Sequence, residues 1–185
     1  MPVKLVQMPP ELIRIEEADI VAAGIEPRLL ADFRTYLPGV LEERRGVAIL
    51  LPKDTGSVQL LMLLARRVGA ALRDENIQLR DTGGDIKGGK KRLCYLPGDV
   101  LGDAFEEAET RQALTNEAAC FLQDLDLVWA GRAPESATPT PRQLLTLLDV
   151  RLAASLPTFL TADPAILPPE VEAGLRARLQ VLELA

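Results

Sequence analysis

The sequence predicts an α/β domain built on a five-stranded parallel sheet with flanking helices. Two observations carry that expectation. From Arg44 onward, short apolar runs alternate with longer stretches whose apolar residues recur at helical spacing. Gly46 to Leu51 is also one continuous apolar run stopped by Pro52, the pattern of a central strand buried on both faces.

The elements follow in order. After the turn Pro52-Lys53-Asp54-Thr55-Gly56, residues Leu60, Leu61, Leu64, Val68, Ala71 and Leu72 predict a helix through about Arg73 with one strongly apolar face. The glycine-rich stretch from Arg80 to Arg92 predicts a mobile loop, or the tip of a hairpin joining Ile77-Gln78-Leu79 to Leu93-Cys94-Tyr95. Leu93 to Leu96 is the second strand. Pro97-Gly98-Asp99 then opens a helix that turns Val100, Leu101, Ala104, Phe105 and Ala108 inward. Ala119 to Leu122 is the third strand and ends in Gln123-Asp124. Thr140 is placed to cap the next helix, with Pro141 just inside it and Gln143 positioned to close a capping box. Leu144, Leu145, Leu148 and Leu152 are expected to form its buried face. Thr158 to Thr161 is a fourth strand, Glu170 to Arg178 a last helix, and Val181 to Leu184 a fifth strand. Residues 1–43 stand outside this rhythm and are expected to form a helical or extended preface packed on the core at 44–185.

Composition narrows the function classes. A chain of 185 residues with 48% hydrophobic and 26% charged residues makes one domain with a sizeable core, which excludes intrinsic disorder. No apolar run approaches the ~20 residues of a membrane span, and Met1 to Glu11 lacks a signal-peptide pattern, so a cytoplasmic location without membrane contact is expected. A net charge of -6 argues against a surface built throughout for nucleic acid. There is no histidine, which removes His-based triads, His-ligated zinc and imidazole acid-base chemistry. Cys94 and Cys120 lie in apolar runs and are expected to be buried, reduced thiols.

A strand, a turn ending in Thr55-Gly56 and then a helix is the layout of a phosphate-binding loop. In that loop, backbone N–H groups wrap the phosphates, a lysine neutralises them and a Ser or Thr hydroxyl holds magnesium. Here Ser57 stands at the lysine position and Val58 at the hydroxyl position, while Leu51 and Asp54 replace the first two glycines. On the local sequence alone, an ordinary strand-to-helix turn at 52–58 is the favoured reading. A second thinned constellation lies at the third strand's end, where Gln123 stands in place of an acid and Asp124 is retained.

Together these features resemble the AAA+ ATPases of the DnaC-like helicase-loader group, including the IstB-like transposition helpers. The likeness runs from about Ala22 to Leu184. Ala23-Gly24-Ile25-Glu26-Pro27-Arg28 and Phe33-Arg34-Thr35-Tyr36 are similar to the family's lead-in, Val47 to Gly56 to its Walker A strand and loop, and Tyr95 to Leu101 to its second strand and helix start. The resemblance makes Pro52, Lys53, Asp54, Thr55, Gly56, Ser57 and Val58 a vestigial nucleotide loop, and puts Gln123 and Asp124 at an eroded Walker B metal site. It puts Asp163 at the sensor 1 position and Arg178, in Arg176-Ala177-Arg178-Leu179, at the arginine finger that reaches a neighbour's ATP. The chain stops where the family's helical lid would begin, so a core without that lid is expected.

Three functions follow. The first is a non-hydrolysing interaction module accessory to DNA replication or transposition, with a helicase, a transposase or a AAA+ relative as partner. On this reading no residue is catalytically active and no cofactor is expected; retained ATP or ADP with magnesium is the alternative. The second is a residual ATP-binding subunit that supplies Arg178 to an active ATPase in a mixed oligomer. The third is nucleic-acid contact through the basic loop residues Lys87, Lys90, Lys91 and Arg92, for which a solvated loop is the favoured reading.

Overall fold

The computed structural model describes residues 17–22, 31, 46–52, 56–81 and 93–183. Five strands, β1 (Val47–Leu50), β2 (Leu93–Pro97), β3 (Ala119–Gln123), β4 (Thr158–Ala162) and β5 (Gln180–Glu183), form one parallel sheet in the order β2-β3-β4-β1-β5. The expected run at Gly46 to Leu51 is central: β1 pairs with both β4 and β5, with Val47 opposite Phe159 and Gln180. Gly46 is required at its entry, because a Cβ there would lie 2.1 Å from the Thr158 carbonyl oxygen.

Among the described residues, six α-helices and two 3-10 turns flank the sheet or join its strands. These are α1 (Glu17–Ala22), α2 (Ser57–Asp81), α3 (Gly98–Glu106), α4 (Ala108–Asn116), α5 (Pro141–Ala153) and α6 (Pro169–Arg178), together with a 3-10 turn at Leu125–Val128; a shorter 3-10 turn follows at Pro134–Ser136. Strand residues alternate between the two faces. Val47, Ile49, Tyr95, Phe121 and Phe159 pack under α2 with Leu61, Leu64 and Val68. Ala48, Leu50, Leu96, Leu122 and Leu160 pack on the opposite face with Leu101, Leu144, Leu148 and Val171 from α3, α5 and α6. Tyr95, Phe121 and Phe159 stack across three neighbouring strands, with ring centroids 6.5 and 4.9 Å apart. Cys94 and Cys120 sit side by side in register, buried and unbridged.

Four expectations are corrected. The helix after β1 runs to Asp81 and not Arg73, so Ile77-Gln78-Leu79 is helix and forms no hairpin strand with Leu93-Cys94-Tyr95. The helix after β2 breaks at Glu107, whose backbone is extended (φ -83°, ψ 119°); Ala108 therefore starts α4 and is exposed. Leu152 is exposed, and its place on the buried face of α5 is taken by Arg151, which is 0% exposed. The fifth strand starts one residue earlier than expected, at Gln180. The capping box of α5 forms as expected: Thr140 Oγ1 accepts from the Gln143 N–H, and Gln143 Oε1 from the Thr140 N–H. Among the described residues, no helix is long and apolar enough to cross a membrane.

Candidate functional site

In a parallel sheet the strands' C-terminal ends form a crevice where ligands bind. Here that crevice is a cavity of about 390 Å³ at the ends of β1, β3 and β4. The sequence-derived residues Pro52, Gly56, Ser57, Val58, Asp124 and Asp163 all line it, with Asp126 joining them. Gly56 adopts a φ of 86°, a left-handed conformation that favours glycine, and passes the chain into α2 by accepting a hydrogen bond from the Leu60 N–H. Lys53, Asp54 and Thr55 fall outside the described residues, as do Lys87, Lys90, Lys91 and Arg92 and most of 1–43.

Asp124 is the centre of the arrangement. Its Oδ1 accepts from the Ser57 hydroxyl at 2.6 Å and its Oδ2 from Gln123 Nε2 at 2.9 Å. The Asp124 N–H donates to Thr161 Oγ1 at 2.9 Å, and the Thr161 hydroxyl lies 3.5 Å from Oδ1. Gln123 is itself held by the Tyr95 hydroxyl, which donates to its Oε1. Burial, and then the charge of Asp124, push the Tyr95 phenol well above its ordinary range and keep it a donor. Asp124 occupies the left-handed region (φ 49°, ψ 53°), uncommon outside glycine, and its carbonyl closes the 3-10 turn by accepting from the Leu127 N–H. Gly98 at the start of α3 lets that carbonyl approach; a Cβ there would stand 2.1 Å from the Asp124 oxygen.

Asp126, 3% exposed, accepts from the Asp163 N–H at 2.8 Å and so ties β3's exit to β4's. Burial raises its carboxyl above the usual carboxylate range, against the pull of that hydrogen bond, and the charges of Asp124 and Asp163 add to the rise. Asp163 Oδ1 accepts from the Ala165 N–H. Arg178 does not reach the cavity. It lies on α6, its guanidinium paired through Nε and Nη2 with both oxygens of Asp149 at 2.7 and 2.9 Å and a third bond going to the Gly174 carbonyl.

The sequence missed three parts of this site. It set Val58, which has no hydroxyl, at the motif's hydroxyl position and did not anticipate that Ser57 meets the strand-end carboxylate. It read Gln123 only as a lost acid, whereas the amide relays Tyr95 to Asp124. Thr161 and Asp126 had no assigned role; the acid two residues beyond Asp124 was the available signal.

Among the described residues, the charged side chains of the lining are three carboxylates, Asp124, Asp126 and Asp163, with no cation beside them. Both oxygens of Asp124 are engaged by neutral side-chain donors. Among the described residues, no group of three or more acidic or cysteine side chains is arranged to hold a metal ion.

No protein-family model matches the sequence, and no curated protein does. Solved structures do match. DnaI is similar with a TM-score of 0.60 and 14% identity, over 96% of this chain and 95% of that one. A putative primosome component from Streptococcus pyogenes matches at 0.59 and 16%, over 97% and 91%. AMPPCP-bound DnaA from Aquifex aeolicus matches at 0.57 and 12%, over 92% of this chain and 51% of its own. This chain has the AAA+ P-loop fold. The strand order sets β1 and the Gly56 turn beside the end of β4 and near that of β3, and the cavity lies among them at the strands' C-terminal ends. The chain spans about half the length of the DnaA structures it matches.

Proposed function

We propose that this chain is a AAA+-fold interaction module of DNA replication or transposition that binds partners and does not hydrolyse ATP. One observation carries the reading: in the crevice of a P-loop fold, Asp124 is engaged by Ser57 and Gln123, and the charged side chains of the described lining are all carboxylates. Phosphoryl transfer depends on positioning and on neutralising charge, and removal of a single stabilising group lowers a rate by on the order of a hundredfold or more. Several such groups are replaced here together. The apolar pattern that builds the sheet and its two cores is nevertheless intact, as expected where selection acts on the shape of the domain and its surface. Replication enters through the fold's likeness to DnaI, the primosome component and DnaA.

A helicase, a transposase or a catalytically intact AAA+ relative is the expected partner, and neither ATP, ADP nor magnesium is required for the association. The test is a magnesium-dependent ATPase assay on the wild type and Asp124→Ala, run beside a pull-down. No Asp124-dependent hydrolysis and recovery of a replication or transposition protein are expected. Hydrolysis abolished by Asp124→Ala would overturn the reading.

The mixed-oligomer alternative needs Arg178 to act on a neighbour, and that guanidinium is committed to Asp149 within its own chain. Stimulation of an intact loader by this protein, lost in Arg178→Ala, would favour that alternative. Nucleic-acid contact through Lys87, Lys90, Lys91 and Arg92 is tested by single-stranded DNA binding and its loss in Lys90→Ala with Lys91→Ala; salt-sensitive binding would favour it.

A further inference from the structure

On the face of the domain made by α3, α4 and α5 lies a second cavity, of about 570 Å³, remote from the strand ends. Phe105, Leu147 and Val150 give it an apolar floor. Val150 is 46% exposed, although it is a large aliphatic residue in the middle of an ordered helix. Arg111 and Arg142 stand over this floor, and Glu106 is the one acid in the lining. The local charge is therefore opposite in sign to that of the chain, which carries a net -6.

Both arginines stand at helix ends beside the groove. Arg142 occupies the first turn of α5, where the helix dipole disfavours a cation. Arg111 Nη1 donates to the Phe105 carbonyl at 3.1 Å, which anchors the guanidinium at the groove. The neighbouring hydroxyls are already used: Thr115 and Thr146 donate to the carbonyls of Arg111 and Arg142, one turn back in their own helices. The groove thus offers charged N–H donors beside exposed aliphatic surface. That combination matches a carboxylate next to an apolar side chain.

We propose that this groove docks a short acidic and apolar peptide segment of a partner protein, its Asp or Glu side chains on Arg111 and Arg142 and its aliphatic side chains on the exposed Val150. A nucleic-acid strand suits the groove less well. Phe105 is 8% exposed and presents no free ring for a base to stack on, and Glu106 repels phosphate. The proposal does not depend on the state of the nucleotide crevice, so an active ATPase would leave it standing.

The test is selection of random twelve-residue peptides on the folded protein, followed by titration of the enriched peptides against the wild type, Arg142→Glu and Val150→Asp. Both substitutions lie at exposed helix positions, and glutamate is favourable at the start of α5, so thermal melts close to wild type are expected. Enriched peptides should pair Asp or Glu with Leu, Ile or Phe, and each substitution should weaken binding at least tenfold. Enrichment of peptides without acids, unchanged affinity in both variants, no enrichment at all, or tighter binding of a random single-stranded oligonucleotide at the same residues would overturn the proposal.

Discussion

Replacing Arg151 with methionine removes the most heavily used side chain in the domain. Its Nε donates to Thr158 Oγ1 at 2.9 Å, Nη1 to the carbonyls of Leu114 and Glu117 at 2.7 and 3.1 Å, and Nη2 to the carbonyl of Pro157 at 2.9 Å. These carbonyls close the end of α4 and the entry to β4, so one guanidinium joins α4, α5 and the sheet. Burial holds its pKa below the ordinary arginine value. The Pro157 carbonyl keeps the Cys120 N–H as a donor, but the carbonyls of Leu114 and Glu117 lose the one Arg151 supplied, at about 1–3 kcal/mol each. Relief from burying an ion offsets part of that sum, leaving a net loss of about 2–4 kcal/mol. For a chain of this size the midpoint of thermal unfolding should fall by roughly 10 °C. Methionine is a good helix former and fills much of the volume, so helix propensity does not confound the result. Arg151→Lys keeps the charge without the planar fork and should lose about half as much. Urea denaturation followed by circular dichroism measures both. A loss below about 1 kcal/mol for Arg151→Met would refute the reasoning.

Asp126→Asn is expected to stabilise the fold at pH 7, because the amide oxygen still accepts from the Asp163 N–H and the buried charge is gone. A carboxyl whose folded pKa is raised destabilises above that value and ceases to do so as the pH falls through it, so the advantage should vanish in acid; denaturation at pH 7 and pH 4 checks the sign. Gly98→Ala drives a Cβ into the Asp124 carbonyl oxygen and should lose about 1–3 kcal/mol in the same assay, with wild-type stability counting against the described approach. Arg178→Ala breaks a pair whose members are 24% and 54% exposed and should lose less than about 1 kcal/mol, more at low salt than at high.

The sheet was legible because each strand is a compact apolar run closed by a proline, glycine or polar residue, and parallel strands buried on both faces need just that pattern. The start of α5 was legible from Thr140, Pro141 and Gln143, whose side chains form the cap locally. Its buried face was misread because steps of four from Leu144 reach Leu152, and two such steps rotate about 80° around the helix. Seven residues return within about 20°, so the buried stripe passes through Leu144, Leu147, Leu148 and Arg151. An arginine at the last of these positions looks like a polar interruption until the carbonyls of α4 come to meet it. The hairpin at Ile77 failed because a β-branched residue flanked by long side chains is also compatible with helix once α2 is under way. Within the site, Gly56 and Asp124 were legible as a turn and a strand-end acid. The relay from Tyr95 through Gln123 to Asp124, and the meeting of Ser57 with Asp124, were not, since they join residues 28 and 67 apart in the chain.

The central claim is that the AAA+ crevice no longer serves ATP, and thermal unfolding with ATP or ADP, with and without magnesium, tests it most directly. A nucleotide present at a hundred times its dissociation constant adds ~2.7 kcal/mol to the folded state, or roughly 5–10 °C for this chain length. The account predicts no shift at millimolar nucleotide. A magnesium-dependent rise of that size, lost in Asp124→Ala, would contradict it.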